Sequence, residues 1–299
     1  MGMGMGMGMG MGMGMGMGMG MGMALGGTPP ELGLHPLTLQ FTLAPGAPAS
    51  FPDLILDPPG ADYAVEKWDP SLLAVRYLRA FACTDWPNIF PPAGPPPLPL
   101  EYQHILDWRA PKAGFKTFVG NEIKDLQILM QDHRERYLTE IVAQNDSAPE
   151  YWVSMLGLDR KTKFWNLVLL HVALRVGELA VMHFKYQFKR PRPSALCPGL
   201  CLPFGPPSHP AFPSGHSTQA WLMTMCLKEA LPVPAAGPDP YRPALDWLAQ
   251  RVAFNRERGG FHYKSDSDGG KYLAEECFKL LNQPGTLFKT LVTDAKGEW

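Results

Sequence analysis

The spacing of apolar residues predicts helices through most of the chain beyond residue 120. Apolar side chains recur at helical intervals, with charged residues between them, at Ile123, Leu126, Met130, Tyr137 and Ile141. Such spacing places one apolar stripe along a helix, so we predict one amphipathic helix that begins near Asn121. The segment 145–150 ends it and starts another helix, because its polar residues favour helix ends and Pro149 suits a first turn.

The segment from Phe164 to Lys185 is apolar on nearly all sides. Its length could span a bilayer, but it contains Arg175 and Glu178. Each central Arg or Glu costs about 2.5–3.5 kcal/mol on insertion into a membrane. We therefore predict a helix at the centre of a soluble bundle, with Lys185 at its end.

Further helices are predicted by capping residues and apolar faces. They run from Asp69-Pro70 to Phe81, from Ser214 to about Ala230, from Pro243 to Arg256, and, as the last one, from near Ser265 or Asp266 to Leu280. No pair of strands is indicated, so the predicted fold class is all-α, a helical bundle.

The chain divides into three parts by composition. Residues 1–23 alternate Met and Gly, which favours neither helix nor strand and predicts a disordered tail. Residues 24–100 form a Pro-rich irregular arm that contains the short first helix and wraps the domain. Residues 101–299 form the helical catalytic domain, with its motifs between positions 185 and 266.

Charge and cysteine content limit the partners and the location. The net charge of −1 gives no general attraction to nucleic acid or to an acidic membrane surface. Five cysteines are an odd number, which favours reduced intracellular thiols over a disulfide framework. The amino end does not follow a signal-peptide pattern, so we expect a cytoplasmic protein.

Three short motifs gather residues that suit a tetrahedral oxyanion. They are Lys185 to Pro193, Pro213 to His216, and Asn255 to Asp266. Lys185 offers a compact charge, and Arg192 and Arg256 offer planar guanidinium groups that match the oxygens of the anion. Ser214 brings a hydroxyl group, and the N–H of Gly215 points out of a helix start, where the helix dipole favours anions.

Two histidines add acid–base and nucleophilic chemistry. His216 can act as a general acid or base beside the bound anion. His262 is the candidate nucleophile or metal ligand, and Asp266 can hold its other ring nitrogen and fix the tautomer. We predict that Lys189 and Arg190, between the first two cations, form a solvated rim that attracts anions to the entrance.

The combination Lys-x6-Arg-Pro, Pro-Ser-Gly-His and Arg-x5-His-x3-Asp resembles one superfamily. This superfamily contains the vanadium-dependent haloperoxidases, the type 2 phosphatidic acid phosphatases and the bacterial class A acid phosphatases. The resemblance covers about residues 160–280 and departs at Asn255, where the family usually has Ser or Ala. It implies a bundle of α-helices in which five residues bind the equatorial oxygens of vanadate or phosphate: Lys185, Arg192, Ser214, Gly215 and Arg256. It also implies that His262 bonds to vanadium or attacks phosphorus, while His216 delivers or accepts a proton.

Within this superfamily the chain is most similar to a soluble haloperoxidase. Lipid phosphatases are disfavoured because no membrane span is predicted, and periplasmic phosphatases because no signal peptide is seen. The implied cofactor is vanadate, and the implied substrates are hydrogen peroxide, a halide and, as an option, a small organic acceptor. The alternative is a soluble acid phosphatase that forms a phosphohistidine at the same site. An inactive anion-binding protein is disfavoured, because binding alone needs neither the acid nor the oriented nucleophile. The sequence leaves open whether the chain forms a homo-oligomer.

His209 bears on the choice of halide. It lies seven residues before His216, where bromoperoxidases of the family are similar in having His and chloroperoxidases have Phe. The resemblance therefore favours bromide or iodide. The other interpretation is a loop histidine beside Pro210 without a role.

Overall fold

The computed structural model describes residues 64–90 and 114–299 as a bundle of α-helices. Within these two ranges no residue belongs to a β-strand, which confirms the predicted all-α class. The α-helices are α1 (Pro70–Ala82), α2 (Phe115–Asp132), α3 (Arg134–Ser147), α4 (Glu150–Leu156), α5 (Phe164–Phe188), α6 (Pro193–Leu196), α7 (Gly215–Ala230), α8 (Arg242–Arg258), α9 (Lys264–Leu281) and α10 (Leu287–Lys296). The predicted tail, 1–23, and most of the predicted arm, 24–100, lie outside the described residues.

Helix α5 forms the centre of the bundle and packs against α1, α7, α9 and α10. Its buried side chains lie on every side of the helix, among them Val168, Val172, Val176 and Phe184. In the described part of the chain, Phe164–Leu196 is the one segment that could cross a membrane by length and composition, and 61% of its most apolar window is buried inside the protein. This is the packing of a core helix, as the sequence pattern predicts.

Two close crossings hold α7 against its neighbours. A Cβ atom on Gly177 of α5 would lie 2.9 Å from Cγ of Gln219 on α7. A Cβ atom on Gly270 of α9 would lie 2.7 Å from the carbonyl oxygen of Ser214 and 2.8 Å from Cβ of Ser217. The two glycines therefore let α5 and α9 approach α7 closely, and the second close approach lies at the start of α7.

The prediction of one unbroken helix from Asn121 to Ile141 is wrong. Helix α2 ends at Asp132, and His133, with φ −127° and ψ −32°, separates it from α3. Arg134 then lies buried at the start of α3. Its guanidinium donates to three main-chain carbonyl groups, those of Leu200, Cys201 and Arg258. These long-range contacts hold the start of α3, and helical periodicity, which is a local pattern, does not predict them.

Two further boundaries differ from the prediction. Helix α5 continues past Lys185 to Phe188, so Lys185 lies in its last turn rather than at its end. Helix α9 is not the last helix, because α10 follows it and buries one apolar face in the core. The buried residues of that face are Phe288, Leu291, Val292 and Ala295. Their spacing is helical, so the sequence pattern by itself also indicates this helix.

Candidate active site

The predicted site residues meet at one end of the bundle, where α5 and α8 end and where α7 and α9 begin. The cations come from the two carboxyl-terminal ends and from the loop after α5. The hydroxyl group, both histidines and the carboxylate come from the starts of α7 and α9 or from the loop between α8 and α9. All eight are buried: Lys185, Arg192, Ser214, Gly215, His216, Arg256, His262 and Asp266.

His262 is held in one tautomer by a carboxylate and a guanidinium. Its Nδ1 lies 3.2 Å from Oδ2 of Asp266, and its Nε2 lies 3.1 Å from Nη1 of Arg192. Because a guanidinium only donates, Nε2 accepts and Nδ1 carries the proton. Burial, reinforced by Arg192, lowers the pKa of His262 well below its ordinary value, so the ring is neutral. A lone pair on Nε2 is the state that a nucleophile or a metal ligand needs.

Asp266 accepts hydrogen bonds at both carboxylate oxygens. Oδ2 accepts from Nδ1 of His262 and from the main-chain N–H of Tyr263, which lies 3.1 Å away. Oδ1 accepts from Nη1 of Arg190 at 2.6 Å. Burial by itself would raise the pKa of Asp266, but Arg190 and the hydrogen bond from His262 outweigh it and lower the pKa to about 2. Asp266 is therefore ionised and leaves the proton on His262.

The prediction that Arg190 forms part of a solvated rim is wrong. Only 3% of this residue is exposed. Besides Asp266, its guanidinium donates to Oε2 of Glu122 and to Oγ of Ser265, each at 2.8 Å, and lies over the ring of Tyr263. The side chain turns inward because two buried carboxylates balance its charge.

Lys185 and Arg192 donate to neutral groups. Nζ of Lys185 donates to the carbonyl oxygens of Pro210 at 2.7 Å and Ala211 at 2.8 Å. Burial and the nearby charge of Arg192 lower the pKa of Lys185 well below its ordinary value. Arg192 donates to the carbonyl oxygen of Phe261 at 2.9 Å, and burial lowers its pKa to about 10. Each cation thus lies buried without a carboxylate in hydrogen-bond contact among the described residues.

Helix α3 supplies two carbonyl groups to the site. Nη2 of Arg256 donates to the carbonyl oxygen of Ile141 at 2.6 Å, and Nε2 of His216 lies 3.3 Å from that of Gln144. A carbonyl only accepts, so Nε2 of His216 carries the proton and Nδ1 is the free ring position. Burial, together with the charge of Arg256, lowers the pKa of His216 well below its ordinary value. The neutral ring can take up a proton at Nδ1.

Arg256 retains hydrogen-bonding capacity. Its Nε is buried and has no hydrogen-bond partner within residues 64–90 and 114–299. Burial lowers the pKa of the guanidinium to about 9, because Glu140 supplies only part of the counter-charge that a buried guanidinium needs. An anion beside Arg256 would satisfy Nε and would supply this counter-charge.

The start of α7 is arranged for an anion. Ser214 is the N-cap, with its Oγ accepting from the N–H of Ser217 at 3.4 Å, and its own N–H donates to the carbonyl oxygen of Asp266 at 2.9 Å. Gly215 is the first residue of the helix, so its N–H has no acceptor within the helix. The positive end of the helix dipole lies at the same place.

The buried charges of the site are unequal. The cations are Lys185, Arg190, Arg192 and Arg256, and the carboxylates in contact with this group are Asp266 and Glu122. The described residues therefore leave an excess of positive charge, which suits an anion with more than one negative charge. No group of three or more His, Cys, Asp and Glu side chains in the described ranges could hold a metal cation.

A surface groove of about 800 Å³ reaches the site at Arg192 and His209. Nδ1 of His209 lies 3.2 Å from Nη2 of Arg192. Burial, reinforced by Lys185 and Arg192, lowers the pKa of His209 to about 3, so this ring is neutral. Lys189 is exposed on the groove, as expected for the predicted cationic rim. Phe204 also lines the groove and packs against Phe261, with 4.5 Å between the ring centroids.

The sequence reasoning missed four polar residues that support the site: Glu122, Gln144, Arg190 and Asn255. Asn255, the departure from the family pattern, donates from Nδ2 to Oε1 of Gln144 at 3.0 Å. A signal was present for the two residues on α2 and α3. Glu122 lies four residues before Leu126, and Gln144 lies three residues after Ile141, so both interrupt the apolar face of a predicted helix. A polar side chain on such a face needs a buried partner.

Comparison of the chain with models of known protein families gives no match, and comparison with curated proteins gives none. The functional conclusion therefore depends on the chemistry of the site.

Proposed function

We propose that this chain is a soluble vanadium-dependent haloperoxidase that oxidises a halide with hydrogen peroxide. One observation carries the proposal: three buried cations, Lys185, Arg192 and Arg256, surround two neutral histidines of defined tautomer. Buried cations need a counter-charge, and guanidinium groups match the oxygens of a tetrahedral oxyanion. The interior position of α5 agrees with a soluble protein.

The residues present fit vanadate. Arg256 has a buried Nε without a partner in the described residues, and Gly215 presents an N–H at a helix start. With Lys185, Arg192 and the hydroxyl group of Ser214, these groups would hold the oxygens of vanadate, and Nε2 of His262 would bond to the metal. When bound, vanadate supplies a Lewis acid that activates hydrogen peroxide toward halide.

The two histidines have different tasks in this proposal. His262 keeps its proton on Nδ1, because Asp266 accepts it and stays ionised, so Nε2 remains available for bonding. His216 is fixed by its Nε2–H bond to Gln144, so its Nδ1 is the position that takes a proton from hydrogen peroxide and returns it. Water exclusion by the buried walls strengthens each of these interactions.

His209 is the basis for proposing bromide or iodide as the halide. In the bromoperoxidases that the chain resembles, a histidine has the same offset from the acid–base histidine. Here its ring contacts Arg192 on the groove, next to the oxyanion site. A neutral imidazole there places a polar group beside the oxyanion site without adding charge. An organic acceptor would enter along the same groove.

The alternative function is an acid phosphatase acting on phosphate monoesters. The tautomer of His262 favours it equally, because a lone pair on Nε2 suits attack on phosphorus and formation of a phosphohistidine. The cations would then stabilise the charge that spreads over the phosphoryl oxygens in the transition state. In that case His216 would protonate the leaving oxygen. Phosphate and vanadate have the same shape, so the cage itself does not distinguish them.

Bromide oxidation by purified protein tests the proposal directly. We would measure turnover with hydrogen peroxide, with and without added orthovanadate, for the wild type and for His262→Ala. Fast turnover that requires both vanadate and His262 is the expected result. The matched control is His183→Ala, since His183 is an exposed histidine on α5.

Hydrolysis of a phosphate monoester is measured on the same preparations. Absence of bromide oxidation, together with hydrolysis that orthovanadate inhibits, would replace the haloperoxidase with the phosphatase. Slow bromide oxidation beside fast hydrolysis would lead to the same replacement. Phosphate binding without either reaction would identify an inactive anion-binding protein and would overturn both functions.

A further inference from the structure

A buried chain of ionic hydrogen bonds leads from helix α2 to the reacting histidine. Glu122 accepts from Arg190 at 2.8 Å, Arg190 donates to Asp266 at 2.6 Å, and Asp266 accepts from His262. Three of these residues expose less than 5% of their surface, and Glu122 exposes 8%. Glu122 and Arg190 bond to each other, to Ser265 and to Asp266, none of which is assigned to the oxygens of the anion.

Each oxygen of the two carboxylates has a defined partner. Oε2 of Glu122 accepts from Arg190, while Oε1 accepts from the main-chain N–H of Ser265 at 2.8 Å, in the first turn of α9. Arg190 in turn donates to Oγ of Ser265. Glu122 and Arg190 thus hold both the first turn of α9 and the side chain of Asp266 that this turn carries.

The contact between Arg190 and Asp266 determines which carboxylate oxygen of Asp266 faces His262. Oδ1 is engaged by Arg190, so Oδ2 is the oxygen left for Nδ1 of His262 and for the N–H of Tyr263. The ring of Tyr263 also lies 3.9 Å below the guanidinium of Arg190 and restricts its plane. A carboxylate that cannot rotate holds the imidazole in one orientation, with Nε2 toward Arg192.

We infer that Glu122 and Arg190 are positioning residues: they lock Asp266, and through it the tautomer and direction of His262. This inference rests on the proposed function only in that His262 is the residue that bonds to the oxyanion. It gives α2, which bears none of the three motifs, a direct part in the site. It also assigns to Arg190 a role different from the anion-binding role of Arg192.

The test uses conservative variants in the full-length protein. Arg190→Lys keeps the charge, but a single Nζ replaces the two guanidinium nitrogens, Nη1 and Nη2, that bond separately to Asp266 and Glu122. Glu122→Gln keeps an oxygen for the N–H of Ser265 and removes the charge that holds Arg190. The matched controls are Arg242→Lys, in an Arg–Asp pair remote from the site, and Asp125→Asn, an exposed position on α2.

Two readouts do not require turnover. The ¹⁵N chemical shifts of His262 report which ring nitrogen carries the proton, and calorimetry measures the affinity for orthovanadate and for phosphate. We expect both variants to reduce the Nδ1–H population of His262 and to weaken orthovanadate binding about 10–100-fold. The double variant Glu122→Gln/Arg190→Lys should be no worse than Arg190→Lys, because the two residues act as one unit. Both controls should match the wild type.

The outcomes separate this inference from the proposed function. Folded variants that keep the tautomer of His262 and the wild-type affinity for orthovanadate would overturn the inference, whatever the activity of the wild type. Additive losses in the double variant would also overturn it, because Glu122 would then act independently of Arg190. If the wild type fails to oxidise bromide but the variants lose the tautomer and phosphate affinity, the haloperoxidase fails and the positioning role stands.

Discussion

Arg192 donates a hydrogen bond to Nε2 of His262, with 3.1 Å between the two nitrogen atoms. The bond places the lone pair of the reactive nitrogen against a cation that can also bind oxyanion oxygens. An anion that bonds to Nε2 must replace this contact, and the freed guanidinium N–H then becomes a donor to the anion. In the proposed cage, the same residue would orient His262 before binding and neutralise charge after binding.

Oxyanions should stabilise the protein through the unbalanced cations. With orthovanadate or phosphate at 100 times its dissociation constant, the free energy of unfolding should rise by about 2.7 kcal/mol. Arg256→Gln should lose most of this gain, because the charge next to the anion is gone. Thermal unfolding with increasing anion concentration measures it, with Arg136→Gln, an exposed position on α3, as the control. An equal rise for Arg256→Gln and the wild type would contradict the assigned cage.

Glu257 should make stability depend on pH between about 4.5 and 7. Only 7% of the residue is exposed, and burial raises the pKa of its carboxyl from 4.5 to about 7. Because the folded-state pKa is the higher one, its contribution is fully present below pH 4.5 and is lost as pH rises through 7. The free energy of unfolding of Glu257→Gln, measured relative to that of the wild type, should then be about 3 kcal/mol higher at pH 8 than at pH 4. Urea unfolding at both values measures this, and exposed Glu135→Gln should show no such gain.

Asn255 should support the alignment of His216. Its Nδ2 donates to the side-chain Oε1 of Gln144, and the main-chain carbonyl oxygen of Gln144 accepts from His216. Its Oδ1 accepts from Arg258 at 2.7 Å. A serine at this position is too short to make both hydrogen bonds. We therefore expect Asn255→Ser to lower kcat for bromide oxidation about tenfold, with KM nearly unchanged. Steady-state kinetics test this against Gln250→Ser, an exposed position on the same helix. An increase in KM alone would show that Asn255 acts on substrate binding instead.

The close crossing at Gly270 should be intolerant of a side chain. A Cβ atom there would lie 2.7 Å from the carbonyl oxygen of Ser214, so α7 and α9 would have to separate at the site. We expect Gly270→Ala to lower the free energy of unfolding by about 1–3 kcal/mol and to weaken phosphate binding. Gly120→Ala on α2 has open space around it and should raise stability by about 0.5–1 kcal/mol. Equal responses of the two variants in urea unfolding would exclude this packing account.

His209 should influence the halide. Following the resemblance, His209→Phe should raise the ratio of kcat/KM for chloride to that for bromide by about tenfold, because the polar contact next to Arg192 is lost. Rates with each halide measure the ratio. The control is His183→Phe, an exposed histidine on α5. A parallel fall for both halides would show that His209 supports the oxyanion cage rather than halide choice.

The sequence by itself determined the helical class and most helix positions, and it predicted the central residues of the candidate site. Helical periodicity and capping are local, so the starts of α1 at Pro70 and of α7 at Gly215 were predicted to within a residue. The three motifs predicted which side chains would form the cage, because their chemistry is evident from residue type and spacing. The structure buries all eight of these residues at one end of the bundle, and the cage itself stays a prediction.

Only the tertiary structure decided what surrounds and orients those residues. Arg190 looked like a surface cation because its partner Glu122 lies 68 positions away in the chain. The same holds for Gln144, which meets Asn255 across 111 positions, and for the break that turns Arg134 inward. Pairings of this kind depend on how helices pack against one another. Residue type and spacing therefore indicate the candidate reacting groups, whereas the orientation and charge balance of these groups come from contacts between distant segments.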